Sequence, residues 1–271
     1  MLDVSSKDDR PAEFVEALAK GLSILESFGS DHPEMTLSEV ARRVGLSPAA
    51  ARRSLITLQA MGYVGQTNKR FHLRPKVMSL GSAFYFSARI DEVLQPELRN
   101  LVGTFGDASS VATLDGHDVV YIAHYSEQRA RRPTAVVGAR YPAHATSLGR
   151  VLLAALPDAE FNAYLHAVKP QPLTPRTVVD KTELRRIVEE VRQKNYATTV
   201  DQLDYGITAL AVPIRGSSGR TIAALNSSGY SGMITAEELV ANRLHGLRAS
   251  AARLAQTLSH YPVIESIIGT R

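Results

Sequence analysis

The chain has 271 residues, of which 44% are hydrophobic and 21% are charged, and its formal net charge is +4. This composition supports packed cores in two domains or one large domain, and it excludes global disorder. The absence of cysteine excludes a disulfide framework, a thiolate zinc site and a cysteine nucleophile. No apolar run approaches the ~18–20 residues that cross a bilayer, and the polar first ten residues carry no signal core. We therefore expect a cytoplasmic protein with no membrane contact.

The first predicted elements are two helices that follow a disordered tail over residues 1–10. An amphipathic helix is expected between Pro11 and Gly29. A second, short helix is predicted from Leu37 to Val44, because Thr36 and Glu39 have the spacing of a capping box. The apolar positions that mark the first helix recur near helical spacing, and they are Phe14, Leu18, Leu22, Leu25 and Phe28.

A third helix and a hairpin complete the N-terminal pattern. The helix is predicted over Pro48–Met61, since Ser47 suits the N-cap position and proline suits the first helical position. The hairpin has predicted strands Tyr63–Val64 and Phe71–Leu73, joined by a polar loop over residues 65–70. Two helices separated by a glycine-containing turn and followed by a hairpin are typical of a winged helix-turn-helix. We place this domain over residues 11–74.

The third helix offers a basic face to a partner. Ala51, Leu55 and Leu58 recur at helical spacing and are predicted to pack inward, which turns Arg52 and Arg53 outward. Small residues at the start of the helix allow close approach to base edges in a DNA groove. The predicted DNA-contacting residues are Ser47, Ala49, Ala50, Arg52, Arg53 and Thr57 in the helix, with Lys69 and Arg70 in the wing.

The local charge supports the same interpretation. The segment from Thr36 to Lys76 contains eight basic residues and one acid, Glu39. Such an excess is typical of a surface that binds phosphate groups. The alternative is a small helical bundle whose arginines only solvate its surface, but the turn, the cap and the basic hairpin together favour DNA binding.

A linker helix is predicted over residues 75–90. Its apolar residues Val77, Leu80 and Phe84 exceed what a small domain needs for its core, and they predict a symmetric homodimer or homotetramer. From residue 91 to 271 the pattern changes to mixed α and β. The predicted strands form neighbouring antiparallel pairs, which favours a sheet flanked by helices. The strands are Ala108–Thr113, Val119–Tyr125, Ala197–Val200, Ile207–Ile214 and Thr221–Asn226, and the helices are Pro96–Thr104, Ser147–Leu156, Asp158–Val168, Lys181–Asn195 and Ala236–Tyr261.

Several segments together resemble IclR-type transcriptional regulators. The matching segments are Phe14–Phe28, Leu37–Ser47, Tyr141–Ala154, Gly206–Pro213 and Ala223–Gly229. Within that family, Ala50–Arg53 and Leu58–Val64 resemble the branch that controls protocatechuate and p-hydroxybenzoate catabolism in the β-ketoadipate pathway. The resemblance implies an α+β fold with an N-terminal winged helix-turn-helix, a linker helix and a C-terminal mixed α/β, GAF-like effector-binding domain. It also implies operator DNA with palindromic or repeated half-sites as a partner.

The effector site is predicted where small residues lead into a helix. Thr146 and Ser147 supply hydroxyls beside a helix N-terminus, where an anion is stabilised, although this pattern is more often an ordinary cap. The resemblance implies that this region borders the effector pocket. It also implies that Ala209 stands where some relatives have cysteine, which leaves room for a ring. Asp201 falls in a loop that lacks the glutamate of many relatives, so either Asp201 or Asp204 is a candidate there. The candidate effector residues are His144, Thr146, Ser147, Leu148, Gly149, Asp201, Ala209, Asn226 and Ser228.

The predicted function is regulation of aromatic-compound catabolism in response to a small organic acid. An aromatic carboxylate is the first candidate, and a β-ketoadipate-like dicarboxylate is the second. The alternatives are a repressor that senses another small acid and an architectural DNA-binding dimer without a ligand. No zinc-protease, nucleophile-elbow, phosphate-loop or dinucleotide pattern is present, so we predict no catalytic residue, no metal site and no cofactor.

Overall fold

The computed structural model describes residues 11–29, 31–126 and 136–269. Within these ranges the chain forms two compact units, which divide between Phe84 and Tyr85. This division falls inside the predicted linker segment. The predicted tail over residues 1–10 lies outside the described residues. None of the helices in the described ranges combines the length and the apolar character needed to span a membrane.

The N-terminal unit combines three helices with a small antiparallel sheet. Thr36 N donates to Glu39 Oε2 at 2.7 Å and Glu39 N donates to Thr36 Oγ1 at 3.3 Å, which confirms the capping box. Ser47 Oγ accepts a hydrogen bond from Ala50 N at 3.3 Å and caps the third helix as predicted. The elements are α1 (Glu16–Glu26), β1 (Glu34–Thr36), α2 (Leu37–Arg43), α3 (Pro48–Ala60), β2 (Val64–Thr67) and β3 (Arg70–Leu73), with β3 in the centre of the sheet.

The first helix differs from its prediction in both length and packing. It begins at Glu16 rather than after Pro11. Of the predicted apolar positions, Leu18 and Leu22 are exposed and Phe14 precedes the helix, because α1 turns Ile24 toward the core. The core of this unit contains Ile24, Met35, Val40, Leu55, Leu58, Val64 and Phe71.

The hairpin loop is shorter than the sequence indicates. The strands extend to Thr67 and Arg70, which pair with each other, so only Asn68 and Lys69 form the loop. Both have positive φ, 50° and 66°. This conformation matches the right-handed twist of the flanking strands in a two-residue hairpin. The predicted polar loop over residues 65–70 is therefore wrong except for Asn68 and Lys69.

The predicted linker helix over residues 75–90 is interrupted in the structure. It consists of a 3-10 turn (Pro75–Val77), then α4 (Met78–Ser87), and then a separate α5 (Ile90–Val93). Arg89 between them has φ 48°. A left-handed residue cannot continue a right-handed helix, so the chain changes direction there.

The C-terminal unit is built on a six-stranded antiparallel sheet with the order β6-β5-β4-β9-β8-β7. The expected strands are present, and β6 is an addition that the sequence pattern did not indicate. The last predicted helix ends at Ser259, before Tyr261, and a further helix follows it. The elements are α6 (Gln95–Phe105), β4 (Ala108–Asp115), β5 (Asp118–Ser126), β6 (Arg140–Pro142), a 3-10 turn (Ala143–Ala145), α7 (Ser147–Ala154), α8 (Asp158–Ala167), α9 (Lys181–Lys194), β7 (Ala197–Val200), β8 (Ile207–Arg215), β9 (Thr221–Tyr230), α10 (Ala236–Ser259) and α11 (Pro262–Gly269).

The two faces of this sheet have different coverings. Helix α7 packs on one face, where Ala112, Ala211 and Ala224 share a core with residues of α7, α8 and α9. Helices α6 and α10 pack on the opposite face, and Arg243 of α10 donates to Ser227 Oγ there at 3.0 Å. Because side chains alternate along a strand, residues 224, 226 and 228 of β9 lie on the α7 face.

Candidate DNA-binding and effector-binding sites

Helix α3 presents its two consecutive arginines to solvent. Ala51, Leu55 and Leu58 are buried in the core of the N-terminal unit, which confirms the predicted orientation. Arg52 and Arg53 are exposed. Neither guanidinium forms an ion pair with any residue in the described part of the chain, so both charges are available to an external anion.

The start of α3 leaves room for close approach. Ser47 and Ala49 are exposed, and Ala50 is partly buried. Thr57 lies one turn beyond Arg53, and its hydroxyl donates to the Arg53 carbonyl at 3.1 Å. These positions surround the arginines with small side chains. A helix with such a surface fits into a DNA major groove.

The two predicted wing residues differ in their surroundings. Lys69 lies at the tip of the hairpin and is exposed. Arg70 instead begins β3, and its Nε lies 2.7 Å from Glu34 Oε1 of β1. A second carboxylate, Glu39 Oε2, lies 3.7 Å from Arg70 Nη2. The predicted tip position of Arg70 is therefore wrong, because strand pairing extends to this residue and its charge is partly neutralised.

Two other basic residues of the segment from Thr36 to Lys76 form hydrogen bonds within the N-terminal unit. Arg43 Nε donates to the Ser27 carbonyl at 2.8 Å, and Lys76 Nζ donates to the Met61 carbonyl at 2.8 Å. Their side chains are thus occupied within the unit. The available charges that the sequence also predicted are Arg52 and Arg53 on α3 and Lys69 on the wing.

In the C-terminal unit, the predicted effector loop is buried and capped. Thr146 is the N-cap of α7, and its Oγ1 accepts a hydrogen bond from Gly149 N at 2.9 Å. A Cβ atom at Gly149 would lie 2.1 Å from the Ala143 carbonyl oxygen. Only glycine therefore allows the 3-10 turn to lie against α7. His144, Thr146 and Ser147 are also buried, while Leu148 belongs to the hydrophobic core beneath α7.

The predicted strand residues lie together on the α7 face of the sheet. Ala209 pairs with Ser228 across β8 and β9, and Ala211 pairs with Asn226. Asn226 Oδ1 accepts from Ser110 N at 2.8 Å, and Ser228 Oγ donates to the Ala108 carbonyl at 3.4 Å. The face consequently combines two polar side chains with small apolar ones.

Asp201 closes a turn with its carboxylate. Its Oδ1 accepts from Gly206 N and from Ser231 Oγ, each at 2.8 Å. Its Oδ2 lies 4.0 Å from Arg176 Nε. Asp201 also has φ 53°. These contacts fix the segment between β7 and β8, whereas the Asp204 carboxylate accepts from Tyr205 N at 2.8 Å.

Two polar residues on the same sheet face were not among the sequence candidates. Ser110 Oγ lies 2.9 Å from His124 Nδ1, and Ser110 is the cross-strand partner of both His124 and Asn226. Burial lowers the pKa of His124, which favours its neutral form. Only the pairing of β4 with both β5 and β9 brings these three residues into one row.

Arg150 and Gln202 also escaped the sequence analysis. Arg150 stands in the otherwise apolar segment of α7 and is 4% exposed, and its Nη2 donates to Gln202 Oε1 at 2.8 Å. Arg150 could have been found from the sequence, because a charged residue within an apolar helical run is unusual. Nothing in the local sequence pattern marks Gln202.

Together these features define the class of the protein. The N-terminal unit is a winged helix-turn-helix with free arginines on its third helix, which is a DNA-binding architecture. The C-terminal unit carries a sheet face with a few placed polar groups, which is typical of small-molecule sites. A DNA-binding module combined with such a unit is characteristic of ligand-responsive transcription regulators.

Comparison with known proteins identifies the family. Residues 17–68 match the IclR helix-turn-helix domain and residues 84–256 match the C-terminal domain of bacterial IclR transcriptional regulators. The chain therefore belongs to the IclR family of transcriptional regulators, and the expected fold class is confirmed.

Named relatives and a solved structure resemble the chain over most of its length. The Pca regulon regulatory protein of Pseudomonas putida is 34% identical over 91% of this chain and 85% of its own. The p-hydroxybenzoate hydroxylase transcriptional activator of Acinetobacter baylyi is 33% identical over 92% and 94%. A crystal structure of an IclR homologue from Microbacterium hydrocarbonoxydans, complexed with 4-hydroxybenzoate, is 25% identical with a TM-score of 0.71 and covers 90% of this chain and 99% of that one.

Proposed function

We propose that this regulator controls genes of aromatic-acid catabolism and responds to a small aromatic carboxylate. The observation that carries the proposal is the face of β8 and β9 beside α7, where Asn226 and Ser228 accompany the small Ala209. A ring fits against small apolar residues, and a ring hydroxyl finds a partner in the two polar side chains. The 4-hydroxybenzoate bound by the IclR homologue supports the same ligand class, and the p-hydroxybenzoate hydroxylase activator among the relatives supports the regulation of aromatic-acid genes.

The carboxylate of the effector is proposed to lie at the start of α7. The first N–H groups of a helix have no intrahelical acceptor, and the helix dipole favours negative charge there. Thr146 Oγ1 already accepts from Gly149 N, so the remaining candidates are the N–H groups of Ser147 and Leu148 and the Ser147 hydroxyl. His144 contributes to the wall of this region and is buried.

Calorimetry with the full-length protein tests the effector proposal. The ligands are p-hydroxybenzoate, protocatechuate and β-ketoadipate, and the variants are Ser228→Ala and Asn226→Ala. We expect one of the two aromatic acids to bind wild type, and the variants to weaken that binding. Ser227→Ala is the matched control, because Ser227 lies on the opposite face of β9.

The outcomes separate the ligand class from the location of the site. Failure of all three acids to bind at millimolar concentration would refute the ligand class. Binding of β-ketoadipate alone would favour the dicarboxylate. Unchanged affinity in both variants would place the site elsewhere. An architectural dimer without a ligand predicts no thermal stabilisation by any of these acids.

On the DNA side, we propose that Arg52 and Arg53 contact the operator from α3 while Lys69 contacts phosphate from the wing. Ser47, Ala49, Ala50 and Thr57 are proposed to border the same surface, and Arg70 to contribute less because of its ion pair with Glu34. Such a regulator works in the cytoplasm, where its operator lies. If the Arg52→Ala, Arg53→Ala double variant bound operator with wild-type affinity, the assigned face would be wrong.

The operator is proposed to contain two half-sites, since a symmetric dimer or pair of dimers recognises repeated or palindromic sequences. Apolar side chains exposed on α1 and α4 support this arrangement, with Leu18 62%, Met78 73% and Phe86 73% exposed. Sedimentation is expected to show a dimer or tetramer that Phe86→Glu weakens. Met233→Glu is the control, because Met233 is even more exposed, at 85%, but lies between β9 and α10. A monomer with intact operator binding would contradict the proposal.

A further inference from the structure

Arg150 is a nearly fully buried arginine whose hydrogen-bond partners are neutral. Its Nε donates to the His144 carbonyl at 3.1 Å, and its Nη1 donates to the Thr198 carbonyl at 3.4 Å. Its Nη2 donates to the side-chain oxygen of Gln202 at 2.8 Å. These bonds link α7 to the preceding 3-10 turn, to β7 and to the segment after β7.

The charge of Arg150 has no carboxylate partner among the residues that the structure describes. Buried charges are usually paired, because an unpaired ion loses its hydration without compensation. Glu183 exerts an electrostatic effect on Arg150, but its carboxylate is bonded to Arg186 at 2.7 Å. Burial lowers the pKa of Arg150 to about 10, so the guanidinium remains charged at neutral pH.

Gln202 binds the Arg150 guanidinium at a position where a glutamate would neutralise its charge. Its Oε1 accepts from Arg150 Nη2 and also from Val178 N at 2.9 Å. Its Nε2 makes no hydrogen bond with any described residue. A glutamate would therefore satisfy both donors and would neutralise the arginine as well. Hydrogen bonding alone would therefore allow glutamate at position 202. Only the preservation of the positive charge on Arg150 requires the neutral amide of Gln202.

The guanidinium is also held near the start of α7, the end of the helix at which the effector carboxylate is proposed to bind. Side chains on a helix point toward its N-terminus. The bond from Arg150 Nε to the His144 carbonyl holds this charge against the 3-10 turn that immediately precedes α7. A fixed positive charge there adds to the field of the helix end.

We propose that Arg150 is a specificity-determining residue of the effector site, whose uncompensated charge selects an organic anion over a neutral molecule of the same shape. Gln202 preserves this selectivity because it binds the guanidinium without neutralising it. The inference rests on the proposed location of the effector site at the start of α7. It adds a residue, a charge and a chemical criterion that the effector must meet.

The test compares an acid with its uncharged amide on the full-length protein. Calorimetry at pH 7.5 measures the affinities of 4-hydroxybenzoate and 4-hydroxybenzamide for wild type, Gln202→Glu, Arg150→Gln and Arg150→Lys. We expect wild type to prefer the acid by roughly tenfold or more, as one partly buried charge interaction provides. Gln202→Glu and Arg150→Gln are expected to lose most of this preference, and Arg150→Lys to retain most of it.

A matched control isolates the position of the added charge. Gln193→Glu introduces the same carboxylate at an exposed position of α9 and is expected to keep the wild-type preference. If Arg150→Gln fails to fold, Gln202→Glu still decides the question, since it retains both accepted hydrogen bonds. An unchanged acid preference in folded Gln202→Glu would overturn the role of Arg150.

The outcomes also distinguish this inference from the proposed function. Equal binding of acid and amide by wild type would overturn the selectivity of Arg150 and leave the aromatic class intact. Binding of neither would exclude 4-hydroxybenzoate as the effector, and the comparison would then use protocatechuate and adipate with their amides on the same variants. Failure of both of these acids to bind more tightly than their amides would overturn the inference too.

Discussion

Gly149→Ala is expected to destabilise the C-terminal unit, although the substitution adds only one methyl group. The added Cβ would lie 2.1 Å from the carbonyl oxygen and 2.4 Å from the Cα of Ala143. Both are backbone atoms of the 3-10 turn, so no side-chain rotation relieves the contact. Overpacking of this kind costs about 1–3 kcal/mol, and the rigid neighbour places it near the upper value.

The net effect is smaller because alanine favours a helix. Replacing glycine within a helix returns about 1 kcal/mol, which leaves a loss of about 2 kcal/mol. For a domain of this size the melting temperature should fall by roughly 4–8 °C, and circular dichroism measures it. Gly103→Ala is the control, since its Cβ would meet nothing within 4 Å, and it should be neutral or stabilising. A Gly149→Ala protein as stable as wild type would refute the close packing of the turn on α7.

Two further predictions concern DNA binding and pH. Arg52→Ala should weaken operator binding by about 1–3 kcal/mol and relax specificity at one base pair, whereas Lys69→Ala should mainly reduce the salt dependence of the affinity. Fluorescence anisotropy at several salt concentrations separates these two effects. The same loss of affinity and the same salt dependence in both variants would contradict the assignment of Arg52 to a base and Lys69 to phosphate. Burial lowers the pKa of His144. As the pH falls below the ordinary histidine pKa of about 6.5, this residue is therefore protonated in the unfolded chain before it is protonated in the folded protein. The free energy of unfolding should decrease from pH 7 toward pH 5, and thermal melts should show that His144→Gln flattens this dependence. An identical slope in both proteins would show that His144 does not contribute.

Local signals were sufficient for elements whose own residues determine them. The capping box at Thr36 and the proline after Ser47 fix the starts of α2 and α3, and both starts are observed. The left-handed Arg89 has no such signal, because arginine does not favour positive φ, and the break in the linker helix was therefore not predictable. Strand β1 is only three residues long and forms by pairing with β3, which is a tertiary event.

The candidate site was predictable in part for a similar reason. The family resemblance and strand alternation predicted that Asn226 and Ser228 share one face of the sheet. Their pairing with Ala211 and Ala209 of β8 agrees with this prediction. Gln202 is 52 residues from Arg150 in the sequence, and its role depends on how the segment after β7 meets α7. Arg70 illustrates the opposite error, since its partner Glu34 lies on the strand that the sequence did not indicate.

The alternation along β9 gives this regulator a route for changing what it senses. Ser227 is bonded to Arg243 on the α10 face, so its substitution changes a contact with α10 and leaves the α7 face unaltered. Ser228, one residue later, and its cross-strand neighbour Ala209 lie on the α7 face, the proposed effector side of the sheet, where an exchange would alter the shape and polarity offered to a ligand. Mutations at alternate positions of one strand thus act on separate traits. Ligand preference can diverge among descendants of this protein while the architecture that transmits the signal stays constant.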